Sequence, residues 1–342
     1  MHRRRFLAGV AGLGAFGVAG CIDDTSAGAP GGTDPTDGVS TPTGTDGPGT
    51  PTATPSRTPT MTATSPETPP HDAPFPPGRE DVDRVVWYRE VSDPAGTTHL
   101  SYSTSSLSLP GEISLTLQNN ADRQFMTNFY DWALYRWEGG RWRHVAPLFV
   151  NQPLMTLEPG ESHTWTVTLG DENLETPAFR ASGTHEVTVE PVGGGHYAFA
   201  VDGWWEDQDE TPAHEHEAVY AARFEVEGPQ LPLVPSSAVT ATRREGDTVV
   251  VEAENPRGSD GTPATYVLTR DDAAPGPREL VTEQVYREWP LRDALAHADG
   301  ASEVRVETTT GITPLFGVHE EDNPAVTYDG ETFRIGAEER EG

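Results

Sequence analysis

One stretch of the chain, residues 202–217, gathers most of the side chains that could do chemistry. It has no basic residue but holds two tryptophans, two histidines and seven acids, namely Asp202, Glu206, Asp207, Asp209, Glu210, Glu215 and Glu217. The histidines, His214 and His216, flank Glu215. Imidazoles with nearby carboxylates suit Zn²⁺ or Cu²⁺, and oxygen-rich loops suit Ca²⁺. The segment is therefore a candidate site for a divalent cation.

The same segment can also be interpreted as an ordinary surface loop. The His-x-His spacing of His214 and His216 matches no standard zinc pattern, and the acids do not follow the order of a Ca²⁺-binding loop. Acids are abundant along the whole chain. We therefore expect an acidic hairpin loop and no cofactor, with metal binding as the alternative.

The remaining chemistry-bearing residues form no recognisable catalytic set. His144, Met155 and His163 have the ligand types of a copper site, but they fall on predicted strands, where ordinary surface or edge positions are expected. Residues 258–261, Gly-Ser-Asp-Gly, indicate a turn between strands rather than a nucleophile elbow. Cys21 is the only cysteine, so thiol nucleophiles and iron–sulfur clusters are excluded elsewhere. The sequence predicts a protein that is not an enzyme.

The elements that must position these residues are mostly strands. Apolar and polar residues alternate through residues 113–169, with Asn, Gly and Pro at the breaks. This period of two is typical of half-buried antiparallel strands. Residues 80–228 predict about seven to nine short strands and an immunoglobulin-like β-sandwich. We expect four large aromatic side chains to fill its core in place of a disulfide: Trp132, Trp137, Trp142 and Trp165.

Residues 231–340 predict a separate, small α+β domain. Residues 238–243 and 248–253 flank a Glu-Gly-Asp turn, and an Asp-Gly pair at 329–330 joins two further alternating runs, so two hairpins are expected. A short amphipathic helix is predicted at 290–298, where Pro begins the helix and Asp-Gly follows it. The sequence places no catalytic motif in this domain, and a hydrolase is supported only by its mixed pattern.

The first 20 residues predict an export signal. Arg3 and Arg4 belong to a basic, twin-arginine segment that precedes a short apolar run. That run is shorter than the roughly 20 residues needed to span a bilayer. The small residues before Cys21 favour cleavage at that point and lipidation of the cysteine.

Residues 21–79 predict a disordered tether. The segment is rich in Thr, Pro, Gly, Ser, Ala and Asp, and Phe75 is its only aromatic residue. Such a composition cannot bury enough apolar surface to offset the entropy lost on ordering. As a flexible coil the tether would span roughly 40 Å.

The charge of the chain is strongly acidic. The formal net charge is −31, and all 23 basic residues are arginines. Carboxylates hold water and cations in strong brine, whereas Lys adds hydrocarbon to the surface. This composition resembles that of proteins from extremely halophilic archaea. Nucleic acid is excluded as a partner because its phosphates would be repelled.

Two resemblances follow from these residues. Residues 1–21 are similar to the signals of haloarchaeal twin-arginine-exported lipoproteins. The Leu-x-Leu-x-Asn-Asn run at 115–120, the Trp-Glu-x-Gly-x-Trp run at 137–142 and the Pro-Gly-Glu-Ser run at 159–162 resemble the bacterial immunoglobulin-like domains of exported lipoproteins. This resemblance covers roughly residues 95–228 and implies a sandwich without shared catalytic residues. The C-terminal domain resembles no family that we can name.

These observations predict a non-catalytic binding or structural lipoprotein of a halophile. We expect it at the extracellular face of the cell membrane, held there by lipid on Cys21, with an envelope protein or a glycan as partner. The alternative is an extracellular metal-binding or solute-capturing lipoprotein that uses the acidic loop at 202–217.

Overall fold

The computed structural model describes residues 67–79, 82–179, 183–205, 217–256, 258, 261–310 and 325–339. These residues are mainly β, as predicted, with eighteen strands and two short α-helices among them. The predicted signal at 1–20 and Cys21 lie outside the described residues. No helix in the described ranges is both long and apolar enough to cross a membrane.

The first eleven strands cover the region predicted as a sandwich. A 3₁₀ turn, Tyr88–Glu90, follows the first of them. The strands are β1 (Val82–Trp87), β2 (His99–Tyr102), β3 (Ser106–Ser108), β4 (Gly111–Gln118), β5 (Phe125–Glu138), β6 (Arg141–Ala146), β7 (Met155–Leu157), β8 (Ser162–Leu169), β9 (Glu186–Val189), β10 (Gly195–Trp205) and β11 (Glu217–Glu227).

These strands form two sheets. One has four strands in the order β2-β4-β8-β9, and the other follows the order β1-β11-β10-β5-β6, with β3 on β11 and β7 on β5. Along β4, Ile113, Leu115 and Leu117 are fully buried while the polar residues between them are not. The same alternation in both sheets sends one set of apolar side chains into a shared core. The region is therefore a β-sandwich, and its hydrophobic pattern sets the register.

The four predicted core tryptophans are buried, but in two different places. Trp132 and Trp165 lie in the core between the sheets. Trp137 and Trp142 face each other across β5 and β6 and belong to a second cluster, on the other face of the larger sheet. That outer face is therefore also covered, and the sequence did not indicate this.

The cover comes from residues 67–79, which we call the strap. The strap belongs to the segment predicted as a disordered tether, and its described residues lie against the sheet. Phe75 packs against the second cluster of buried residues, the one that contains Trp137 and Trp142. Arg223 on β11 donates hydrogen bonds to the backbone carbonyls of Pro70 and His71. An aromatic side chain and backbone carbonyls therefore help to hold a segment of otherwise tether-like composition.

The C-terminal region contains a mixed sheet with the order β12-β13-β16-β14-β18-β17-β15. Both predicted hairpins are present, and Asp329 and Gly330 take positive φ values of 49° and 78° at the second. The elements are β12 (Val239–Glu245), β13 (Thr248–Ala253), β14 (Thr262–Arg270), β15 (Arg278–Glu279), α1 (Thr282–Val285), α2 (Trp289–Ala296), β16 (Glu303–Thr310), β17 (Ala325–Tyr328) and β18 (Glu331–Glu339).

The sandwich and the C-terminal sheet are joined by buried contacts, although we predicted two separate domains. Both belong to the same unit of the chain, Thr60–Gly342. Leu231, between the two, is buried in the sandwich core, and Tyr286 reaches the same core from just after α1. Gly193 approaches the backbone of Leu231 so closely that a Cβ atom there would overlap it. The C-terminal region therefore closes one end of the sandwich.

Candidate functional site

The predicted metal ligands cannot be placed, because His214 and His216 lie outside the described residues, as does all of 206–216. The two ends of that loop are described. Asp202 on β10 is opposite Val219 on β11, so the predicted hairpin is present. Among the residues that are described, no group of three or more His, Cys, Asp or Glu side chains is arranged to hold a metal ion.

The base of the acidic loop is occupied by an arginine from the strap. Arg79 donates a 3.0 Å hydrogen bond from Nη1 to Asp202 Oδ2, and its Nη2 is paired with Glu217. Burial and the neighbouring Asp202 raise the pKa of Glu217 to about 7. Burial, with Asp202, also raises the pKa of Asp131 and brings that of Tyr135 to about 12. The guanidinium of Arg79 thus occupies the position between Asp202 and Glu217 that a metal ion could take.

Aromatic rings hold the middle of the strap. The Phe75 ring lies 4.6 Å from that of Trp87, 5.0 Å from Tyr135 and 5.7 Å from Trp142, measured between centroids. Trp137 adds a fourth wall, 5.3 Å from Trp142. We call these five residues the aromatic cluster. The indole N–H groups of Trp137 and Trp142 are buried and have no hydrogen-bond acceptor among the described residues.

The start of the strap is held by Arg223. Its guanidinium carbon lies 3.8 Å from the centre of the Trp87 ring, and its Nη1 and Nη2 donate to the carbonyls of Pro70 and His71 at 3.1 and 3.2 Å. His71 Nε2 lies 2.9 Å from Glu90 Oε1. Together, the cation–π contact and the hydrogen bonds hold the start of the strap against the sheet.

A cavity of about 350 Å³ opens beside this contact. The strap forms one wall, and the 3₁₀ turn and the ends of β10 and β11 form the others. Its lining mixes aromatic and charged side chains, including Trp87, Tyr88, Arg89, Glu90, His196 and Arg223. This volume lies within the range of about 300–1,000 Å³ that small-ligand sites occupy. The cavity is the candidate binding site of the protein.

A second polar cluster holds the sandwich and the C-terminal region together. Glu283, in α1, is fully buried and pairs with Arg136 of β5. Its Oε1 also accepts hydrogen bonds from Tyr197 Oη at 3.0 Å and from the Gly193 backbone at 3.1 Å. Burial and the Glu283 carboxylate raise the pKa of Tyr197 well above its usual value. These groups contact each other rather than a cavity, so their role is structural.

The other histidines weighed as copper ligands are not brought together. His144 is on β6, where burial and Arg287 lower its pKa to about 4. His163 is on β8, in the opposite sheet, where its ring stacks 3.8 Å from that of Phe129. Both histidines take part in packing.

Sequence reasoning missed the strap and its cavity. Phe75 is the only aromatic residue in a long tether-like segment, and Arg79 follows it four residues later. The presence of these two residues close together in the tether was the available sign that this part of it contacts the sandwich. Arg223 gave none, because it is one arginine within a regular strand pattern.

Comparisons with known proteins add little. No protein-family model matches the chain, and no curated protein matches it. Among solved structures, a β-glucosidase from Erythrobacter marinus has 18% identity and a TM-score of 0.18, covering 38% of this chain and 15% of its own. A β-glucosidase from Listeria innocua in complex with glucose has 18% identity and a TM-score of 0.19, covering 40% and 16%. At these TM-scores the likeness supports no inference.

Proposed function

We propose that this protein is a non-catalytic binding lipoprotein of a halophile, displayed at the extracellular face of the cell membrane. Lipid on Cys21 anchors it, and an immunoglobulin-like sandwich presents its binding site to the envelope. The observation that carries the proposal is the cavity of about 350 Å³ between the strap and the sheet. In this proposal the ligand binds beside the strap, at the cavity that the strap and the larger sheet line together.

Two features support the immunoglobulin-like assignment and the absence of catalysis. The sandwich is built from two mainly antiparallel sheets around one core, as that fold requires. The most perturbed carboxylate, Glu217, is paired with Arg79, a residue of the strap itself. Its raised pKa therefore belongs to a structural contact.

The anchor is tested by fractionating native cells that express the full chain. We expect the wild-type protein in the membrane fraction and sensitive to protease added outside intact cells. Cys21→Ser should release it, while Ser26→Ala, a nearby control, should leave it bound. Wild-type protein recovered from the cytosol would overturn the anchor.

The binding role is tested by capture from purified native envelope in strong salt. The mature wild-type chain should recover a specific protein or glycan, and Arg223→Ala should recover less of it because the strap no longer closes the cavity. Equal, non-specific recovery by both would reduce the role to a structural one.

The alternative function is metal binding by the acidic loop. What favours it is that the carboxylates of Asp202 and Glu217 meet at the base of the loop that carries His214 and His216. Calorimetry with Zn²⁺, Cu²⁺ and Ca²⁺ should then give heat that the double variant His214→Ala/His216→Ala loses. No heat with any of the three ions would end this alternative.

A further inference from the structure

We propose that the cavity between the strap and the sheet binds a neutral saccharide. This inference rests on the proposed binding function and adds the chemical class of the ligand. It depends on two features of the cavity, its mixed lining and the balance of its charges.

The lining suits a molecule with both an apolar face and hydroxyl groups. Trp87 and Tyr88 supply apolar wall, and the hydroxyls of Thr68 and Ser105 can both donate and accept hydrogen bonds. The imidazole of His196 can do either, according to its tautomer. A pyranose ring has the matching properties, because its C–H face is apolar and each of its hydroxyls is both a donor and an acceptor. A purely apolar ligand would leave the polar groups of the wall without partners.

The charges of the lining favour a neutral ligand. Arg89 and Arg223 are matched by Glu90 and Glu225, so two positive side chains face two negative ones around the same space. An anion would meet the two carboxylates, and a cation would meet the two guanidinium groups. In molar salt the Debye length is about 3 Å, so recognition by charge would also be weakened, whereas packing and hydrogen bonding would not.

The cavity is complete only when the strap lies against the sheet. Thr68 and His71 belong to the strap and line the cavity, and Thr68 Oγ1 lies 3.4 Å from His196 Nε2 on β10. A saccharide that contacts both sides therefore binds only the docked state and stabilises it. By reciprocity, a strap that is released should lower the affinity for the saccharide.

The test is a titration of the full mature chain in strong salt with defined probes. Methyl glycosides of glucose, galactose and mannose and N-acetylglucosamine are the neutral probes, and glucuronate and glucosamine are the charged ones. Saturation-transfer NMR detects contact, and tryptophan fluorescence follows the rings near Arg223. We expect saturable binding of at least one neutral probe, about twofold or less change in affinity with salt, and weaker binding of the charged ones.

Two variants locate the binding. His196→Ala should weaken the best neutral probe about tenfold, which corresponds to about 1.4 kcal/mol. His185→Ala, at an exposed histidine just before β9, is the matched control and should bind like wild type. Circular dichroism of both variants shows whether they fold.

Each outcome decides something different. If only a charged probe binds, or if both variants weaken binding alike, the neutral-saccharide assignment is overturned. If no saccharide binds while the envelope capture succeeds, the ligand class is wrong and the binding function stands. If neither the saccharide titration nor the envelope capture detects binding, both the ligand class and the proposed binding function are wrong.

Discussion

At the scale of single residues, Glu283 has the greatest structural consequence. Its carboxylate is fully buried between Arg136, Tyr197 and the Gly193 backbone, in a space shared by the sandwich and the C-terminal region. Taking such a group out of water is costly, and only its partners offset that cost. The same side chain therefore makes the docking of α1 specific and sensitive to substitution.

Glu283→Ala should lower the free energy of unfolding by up to about 3–5 kcal/mol, because it leaves the buried Arg136 with only the part-exposed Glu138 as an ionic partner. Denaturant titration at one pH measures the change. Glu338→Gln is the control, since the Glu338–Arg305 pair is largely exposed and should change stability by about 1 kcal/mol or less. Equal, small effects of the two variants would contradict a structural role for the buried network.

Glu217 should give the protein a pH dependence in the neutral range. Its pKa is raised to about 7 by burial and by Asp202, so the folded state holds its proton more tightly than the unfolded state does. The resulting stability is present in full below the ordinary pKa of a glutamate and is lost as pH rises through about 7.

Glu217→Gln removes this titration. Between about pH 5 and pH 8 the wild type should lose stability relative to the variant, and denaturation midpoints at several pH values measure the difference. His144 acts in the opposite direction, because its lowered pKa of about 4 costs stability as pH falls below its ordinary value. For that reason the two proteins are compared at the same pH. Parallel pH profiles would show that Glu217 does not titrate in this range.

At the scale of elements, the strap is the part whose order depends on few contacts. Its attachments include the Arg79 pairs at one end, Phe75 in the middle, and contacts to Arg223, Glu90 and His196 at the start. The sheet face beneath it carries small side chains such as Ala198, Ala200 and Ala221, which allow the chain to lie close. Loss of one attachment should therefore loosen the whole segment.

Phe75→Ala should release the strap without unfolding the sandwich. Burial of a phenylalanine contributes about 1.5–3 kcal/mol when complete, and Phe75 is only partly buried, so that figure is an upper bound. Hydrogen exchange read by mass spectrometry should speed up in residues 67–79 and stay unchanged in the strands of the sandwich core. Phe149→Ala, at a side chain that is 63% exposed, is the control. Unchanged protection of 67–79 would mean that polar contacts alone hold the strap.

At the scale of the whole molecule, the net charge determines how stability depends on salt. A net charge of −31 makes the folded chain repel itself, and salt screens that repulsion. At about 1 M salt the Debye length is near 3 Å, against about 10 Å at 0.1 M. The buried contacts described above are screened much less than the surface charges.

Raising KCl from about 0.1 M to about 3 M should therefore raise the melting temperature of the wild-type chain. Circular dichroism or calorimetry measures the shift. Substitution of exposed acids by Gln, for example at Glu112, Glu172 and Glu186, should reduce the salt requirement. A melting temperature that is independent of salt would contradict adaptation of this surface to brine.

The sequence by itself determined the local structure. Period-two alternation predicted β4, β8 and β13, and turn residues predicted the hairpins of the C-terminal sheet, because strand faces and turn backbones depend on near neighbours. The helix predicted at 290–298 lies at Trp289–Ala296 for the same reason. The export signal, the lipid on Cys21 and the ligands at His214 and His216 remain predictions.

Only the tertiary structure decided which surfaces meet. The order of Phe75 depends on Trp87, Tyr135 and Trp142, and the partner of Arg136 is Glu283, 147 positions along the chain. Alternation cannot tell a face covered by a strap from a face exposed to water, because both tolerate the same small and aromatic side chains. The cavity depends on three such meetings at once, of the strap, the 3₁₀ turn and the ends of β10 and β11, and so its existence follows from packing rather than from any local pattern.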